Sequence, residues 1–154
     1  MKFPITRDGF DNLKKDHEFL LNNKRPRILK AIEEARAHGD LSENAEYDAA
    51  REEYGFLQKK VAEIEDMLQN SEIVDVRKGE YDEVAFGCMV SLKNLDTDEE
   101  VLYQMVGPYE SDIQKGMISM TSPLGRALMG KSVGDEVNFA APGGQRTYEI
   151  VNIS

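Results

Sequence analysis

Two carboxylates three residues apart, Asp40 and Glu43, stand in the segment Gly39-Asp40-Leu41-Ser42-Glu43-Asn44-Ala45-Glu46-Tyr47, where one helical pattern ends and another begins. Carboxylate oxygens are the hard donors that a divalent cation such as Mg²⁺ takes, but Mg²⁺ keeps several waters and draws further ligands from phosphates or neighbouring acids. Two carboxylates alone bind it poorly. They become useful when inserted beside a metal that a partner already holds, because in such a two-metal site the added ion can activate a water for in-line attack on a phosphodiester. The same residues also fit a purely structural role. Asp40 with Glu43 has capping-box spacing, and Ser42 can cap instead. Glu43, Glu46 and Asp48 would then answer the dipole of the following helix, each contributing about 0.3 to 1 kcal/mol.

A second group of residues suits phosphate. Lys24, Arg25, Arg27 and Lys30 form the one dense basic cluster, with no acid between Glu18 and Glu33. On an ideal helix Lys24, Arg27 and Lys30 fall within a stripe about 120° wide beside the apolar face of Leu21, Ile28 and Ile32. The stripe can meet a phosphate backbone, or it can simply be a solvated face. Arg36 and Arg51, nearer the acidic segment, are alternative or additional phosphate contacts.

The elements that position these groups follow from periodicity. Over residues 7–38, Phe10, Leu13, Leu20, Leu21, Ile28, Ile32 and Ala35 recur mainly at three-, four- and seven-residue steps, the helical period. Pro26 removes a backbone donor and crowds the preceding turn, which predicts a kink or break over residues 23–25. The next stretch is more regular: Tyr47, Ala50, Tyr54, Leu57, Val61, Ile64 and Leu68 have the spacing of a coiled-coil seam. With a short connection at Gly39, the accessible partner for that seam is the first helix folded back antiparallel. Arms of roughly 27 to 30 residues at 1.5 Å each would run about 40 to 45 Å, so the far end should stand in solvent.

Beyond Asn70 the period shortens. Short strands are expected over residues 73–76, 84–95, 100–106, 117–120, 136–139 and 148–153, with one short helix over 124–129. Turn residues at Gly79, Asn94 with Asp96, Gly107-Pro108, Gly134-Asp135 and Pro142-Gly143-Gly144 punctuate them, and the acidic run over 96–100 reads as a solvated hairpin loop. The fold class is therefore α+β. An antiparallel helical coiled-coil hairpin occupies 1–75, with its acidic tip near 39–44, and a compact antiparallel sheet with one short helix occupies 76–154.

Composition narrows the function classes. In 154 residues the formal net charge is −10, which argues against a protein that coats nucleic acid and leaves only local contact with it. The single cysteine, Cys88, cannot form an internal disulfide and sits in an apolar run, so a buried, reduced thiol is expected. The residues after Met1 are charged almost at once, and no stretch is apolar enough for a signal peptide or a bilayer span. A soluble cytoplasmic monomer without membrane contact is the expectation.

The nine-residue tip segment, preceded by Glu34-Ala35-Arg36-Ala37-His38 and followed by Ala49-Ala50-Arg51-Glu52, resembles the signature of the bacterial GreA/GreB transcript cleavage factors, GreA more than GreB. The resemblance continues through Ile73-Val74-Asp75, the run from Ser122-Pro123-Leu124-Gly125-Arg126 to Lys131, and Pro142-Gly143-Gly144, covering essentially the whole chain. It implies a coiled coil that enters the secondary channel of RNA polymerase, and a C-terminal domain similar in fold to FK506-binding proteins that docks at the channel rim. By the same resemblance, Asp40 and Glu43 help hold a second Mg²⁺, shared with the polymerase rather than bound stably by this chain. They would thereby stimulate the polymerase's own cleavage of backtracked RNA near its 3′ end. Lys24, Arg25, Arg27 and Lys30 fall where the family carries its basic patch toward the extruded RNA. Ser42 and Arg51 are supporting groups.

The chain would then be no enzyme itself. A prolyl isomerase is not expected either, since that chemistry needs an aromatic-lined pocket and this half has no Trp and only Phe86 and Phe139 as phenylalanines. Competing readings are a channel-binding inhibitor of RNA polymerase, which the presence of both acids argues against, and a coiled-coil chaperone or scaffold in which the acids are caps. An autonomous hydrolase has least support: His17 and His38 lie well apart, and neither a Ser/His/Asp arrangement nor a full metal cage is present. Residues 122–131 and 96–100 are the expected docking neighbourhood.

Overall fold

The computed structural model describes residues 2–39, 44–76 and 81–154. The chain is α+β, in two compact units: Phe10–Asn70, and Met1–Gly9 together with Ser71–Ser154. The dividing points differ from the expected 75/76 because β1 (Phe3–Ile5) and β2 (Ser71–Ile73) pair in parallel and belong to the second unit. The expected strand over 73–76 lies earlier, as β2 over Ser71–Ile73, and β1 has no counterpart in the expected strands, because three residues carry too little pattern to fix a strand.

In the helical unit, α1 (Arg7–Phe19), a π-helical turn (Leu20–Lys24) and α2 (Arg25–Arg36) form the first arm, and α3 (Ala45–Gln69) forms the second. Ala35 and Arg36 meet Asn44 and Tyr47, whereas His17 meets Glu65, so the arms run antiparallel. All seven seam positions of α3 are buried or half-buried, with Ala50, Leu57 and Ile64 fully so. On the facing arm Ile28 and Ala35 are buried. The kink expected before Pro26 takes a specific form. Arg25 N–H donates to Leu20 O, five residues back, and the backbone stays right-handed helical through Phe19, Lys24 and Arg25. One extra residue is thereby looped into the turn ahead of Pro26, which lacks a donor and would crowd a normal α turn. The helix widens instead of breaking.

The other unit holds a five-stranded sheet in the order β5-β4-β3-β7-β6, made of β3 (Met89–Asn94), β4 (Glu100–Val106), β5 (Met117–Ser119), β6 (Glu136–Ala141) and β7 (Gly144–Ile153). All pairings are antiparallel except β4 with β5, which is parallel. The sheet is therefore mixed, a correction to the purely antiparallel expectation. A parallel neighbour cannot follow through a hairpin, and the connection passes through a 3-10 turn (Ile113–Lys115) before β5. The expected strand over 84–95 begins only at Met89, because the chain turns at residues 86–87, with Gly87 at φ +87°.

Turn chemistry elsewhere follows the residue types. Asn94 Oδ1 accepts from the backbone N–H groups of Asp96 and Thr97, which makes the acidic run a hairpin turn between β3 and β4. Pro142-Gly143 closes the β6–β7 hairpin, where Ala141 pairs with Gly144. The short helix α4 (Pro123–Leu128) is capped by Ser122, whose Oγ accepts from Gly125 N–H at 3.1 Å. It buries Leu124 and Leu128 in a core with Val90, Leu92, Met105, Val137 and Ile150. Among the described residues no helix is long and apolar enough to cross a membrane.

Cys88 is wholly buried in this core, as expected, and its sulfur accepts from Ala85 N–H at 3.4 Å. Burial pushes the thiol up from its ordinary 9.0, with backbone hydrogen bonds from Ala85 and Cys88 itself partly opposing. The folded state thus keeps the proton longer than the unfolded chain does. Its contribution is complete below the unfolded thiol's pKa and is lost as pH rises through the folded one. Denaturant midpoints should fall from pH 8 to pH 10, and the fall should be shallower in Cys88→Ala; equal slopes would remove Cys88 as the cause.

Candidate functional site at the junction of the two helical arms

The end of α2 and the start of α3 are joined by one side chain. Asn44 sits at the N-cap of α3 with an extended backbone, its Oδ1 accepting from Tyr47 N–H at 3.1 Å. Its Nδ2 donates to Ala35 O, in the last turn of α2, at 2.7 Å. An orphan donor of one helix and a carbonyl near the end of the other are therefore satisfied by the same amide. Gly39 N–H donates to Arg36 O, and Gly39 takes φ +97°, the left-handed conformation with which glycine commonly ends a helix. The N-cap of α3 is thus Asn44, while Asp40 and Ser42, whose spacing also suits capping, lie outside the described residues. Asn is among the strongest N-cap types and stands three residues before Tyr47, a signal that the acid spacing overshadowed. Alanine at Asn44 should cost about 1 to 2 kcal/mol, since it removes a cap and leaves the Ala35 carbonyl without that donor. Thermal unfolding of the helices followed by circular dichroism checks this; an unchanged melt would mean that solvent replaces both bonds.

Charged and aromatic groups gather beside the tie. Glu46 and Asp48 lie in the first turn of α3, where negative charge is favourable, and His38 Nδ1 is 3.5 Å from Glu46 Oε2. The Arg36 and Arg51 guanidiniums, from opposite arms, stand over the Tyr47 ring at 6.0 Å and 5.6 Å from its centroid. Both arginines are expected phosphate contacts, whereas the ring they share has no local sequence signal. Asp40, Ser42 and Glu43 lie outside the described residues. Among the described residues no three His, Cys, Asp or Glu side chains are grouped to hold a metal ion.

The basic cluster is split. Arg25, Arg27 and Lys30 are exposed, and Lys30 lies 4.0 Å from Glu34. Lys24 is instead half-buried and lines a groove of about 560 Å³ with Asp16, Phe19, Glu53, Phe56 and Lys60. The ideal-helix stripe assumed an even 100° per residue, and the π turn that ends at Lys24 breaks that count.

A second cavity, of about 670 Å³, lies in the sheet unit and is lined by Tyr103, Ile113, Phe139, Arg146 and Tyr148 among others. Phe139 and Tyr148 stack with centroids 5.6 Å apart. Burial pushes the Tyr103 hydroxyl above its ordinary value; the nearby Tyr148 adds to this and Arg146 opposes it. This half therefore has an aromatic-lined pocket, contrary to the expectation from its Trp and Phe content, because two tyrosines join Phe139 in the lining.

Two family models divide the chain between them: "Transcription elongation factor, N-terminal" matches residues 3–73, and "Transcription elongation factor, GreA/GreB, C-term" matches residues 78–154. The chain belongs to the GreA/GreB transcription elongation factor family. Among its relatives, "Transcription elongation factor GreA" of Brucella anthropi is 49% identical over 152 residues, covering 99% of this chain and 97% of that protein. The Brucella canis protein of the same name is 48% identical over 150 residues, covering 97% and 96%. The crystal structure of GreA factor homolog 1 of Thermus thermophilus is similar at 25% identity, covering 100% of this chain and 99% of that chain with a TM-score of 0.44. Membership in the GreA/GreB family, rather than the lack of a pocket, makes this chain a transcription elongation factor and not an enzyme.

Proposed function

We propose that the protein binds bacterial RNA polymerase through its secondary channel in the cytoplasm, as a monomer, and stimulates the polymerase's own cleavage of backtracked nascent RNA. The observation that carries this reading is family membership across both halves of the chain, together with a helical hairpin whose connection contains Asp40 and Glu43. Two carboxylates have the hard oxygen donors that Mg²⁺ takes, and their number fits an ion shared with the polymerase better than one held alone. When bound there, Mg²⁺ supplies activation of the attacking water. Asp40 and Glu43 orient that ion, Ser42 supports them, and the new RNA 3′ end lets elongation resume. The exposed Arg25, Arg27 and Lys30, with Lys24, Arg36 and Arg51, favour RNA phosphates along the first arm and near the tip. Residues 96–100 and 122–131 are the docking neighbourhood at the channel rim. The test is release of a 3′ RNA fragment from deliberately backtracked bacterial elongation complexes with Mg²⁺. Acceleration by the protein supports the reading; polymerase binding without acceleration would replace it with that of an inhibitor or scaffold.

A further inference from the structure

Two guanidiniums from different helices share one aromatic ring, and no acid among the described residues answers either of them. Arg36 and Arg51 stand 6.0 Å and 5.6 Å from the centroid of Tyr47. No carboxylate among the described residues lies within ion-pair distance of either arginine, and Glu46 lies 3.5 Å from His38. Each guanidinium is drawn to the negative face of the same tyrosine ring. The ring is itself held. Tyr47 occupies a half-buried seam position, and its backbone N–H is fixed by Asn44, which also grips Ala35 on the other arm. In a chain of net charge −10, two guanidiniums gathered on one ring suit a ligand that arrives with its own negative charge. A guanidinium fork matches two phosphate oxygens, and two forks on one ring match a phosphodiester or its neighbour along a strand.

We propose that Tyr47 is a positioning residue: its ring holds Arg36 and Arg51 where they take the RNA phosphodiester next to the cleaved bond. This rests on the reading under "Proposed function". The ring is needed and its hydroxyl is not, because the cation contact is made to the aromatic face. Tyr47→Phe keeps that contact. Tyr47→Leu removes it while leaving an apolar, helix-favouring side chain at the seam, so the hairpin stays folded.

The test compares wild type, Tyr47→Phe and Tyr47→Leu in the cleavage assay on backtracked complexes, as maximal rate and as half-saturating concentration. In parallel, NMR of the free proteins reads the ring-current shifts of the Arg36 and Arg51 δ-protons. Tyr47→Phe should match wild type. Tyr47→Leu should lose both ring-current shifts and about tenfold in maximal rate, the combined worth of two partly exposed cation–ring contacts, with the half-saturating concentration unchanged. An unchanged maximal rate in Tyr47→Leu overturns the positioning role while leaving the cleavage reading intact. A raised half-saturating concentration at constant rate places Tyr47 in polymerase docking and equally overturns it. If wild type itself does not accelerate cleavage, the functional reading fails first and this inference falls with it, whatever the NMR shifts show.

Discussion

Replacing both Asp40 and Glu43 by alanine is expected to lower stimulated RNA cleavage in backtracked complexes by about 100-fold or more, because assistance from a bound ion is worth several kcal/mol. Binding to RNA polymerase should persist. Stability should persist as well, and the reason lies in the cap: Asn44 receives the Tyr47 N–H and ties α3 to α2. A melt within about 0.5 kcal/mol of wild type is the expected control, as for other substitutions away from packed or capping positions. The pair of measurements separates the competing readings. A double variant that still accelerates cleavage would show that the acids do not deliver the ion. A double variant that melts early would return them to a structural role.

The second large effect lies in the other unit, at Gly107. A β-carbon there would stand 1.9 Å from the Pro4 carbonyl oxygen and 3.1 Å from its carbon, both backbone atoms that cannot swing aside. Those atoms belong to β1, which is held to β2 by its register and by Val74 N–H donating to Ile5 O at 2.9 Å. The same corner is fastened by Glu110, whose carboxylate accepts from Thr6 N–H at 2.8 Å, the Thr6 hydroxyl and Gly107 N–H at 3.2 Å. Thr6 Oγ1 in turn accepts from Gly9 N–H at 3.0 Å, beside the start of α1. Gly107→Ala must push β1 off or break this fastening, a cost of about 3 kcal/mol. Amide exchange at Val74 should rise sharply, since its bond to Ile5 is the local reporter. Gly55→Ala is the comparator: nothing lies within 4 Å of a β-carbon there, and removing a glycine from the middle of α3 should gain about 1 kcal/mol. Unchanged exchange at Val74 in Gly107→Ala would mean that the chain relaxes around the methyl group.

Much of the helical unit is legible because periodicity is a local property. The α3 seam from Tyr47 to Leu68 could be read from steps of three and four, and the same seven residues turn inward. The Asn94 turn and the Pro142-Gly143 hairpin are legible for a related reason, since the backbone conformations they need are written in the residue types themselves. Ideal geometry is not legible in the same way: an even helix sets Lys24 beside Arg27 and Lys30, whereas the π turn before Pro26 leaves it lining the groove between the arms.

What the sequence determined by itself was the α+β division, the antiparallel hairpin, the buried Cys88 and the acids at the hairpin connection, all of which depend on residue type, spacing and chain connectivity. What only the tertiary structure decided were contacts between residues far apart in the chain. Parallel pairing joined β1 to β2 and β4 to β5, and the Glu110 carboxylate joined Thr6 to Gly107. One asparagine bridged two helix ends, and one ring gathered two arginines from opposite arms. Such contacts are chosen by geometry after the elements have packed, when each unpaired donor, acceptor or charge must find the partner that the fold has brought within reach, and no local pattern announces which partner that will be.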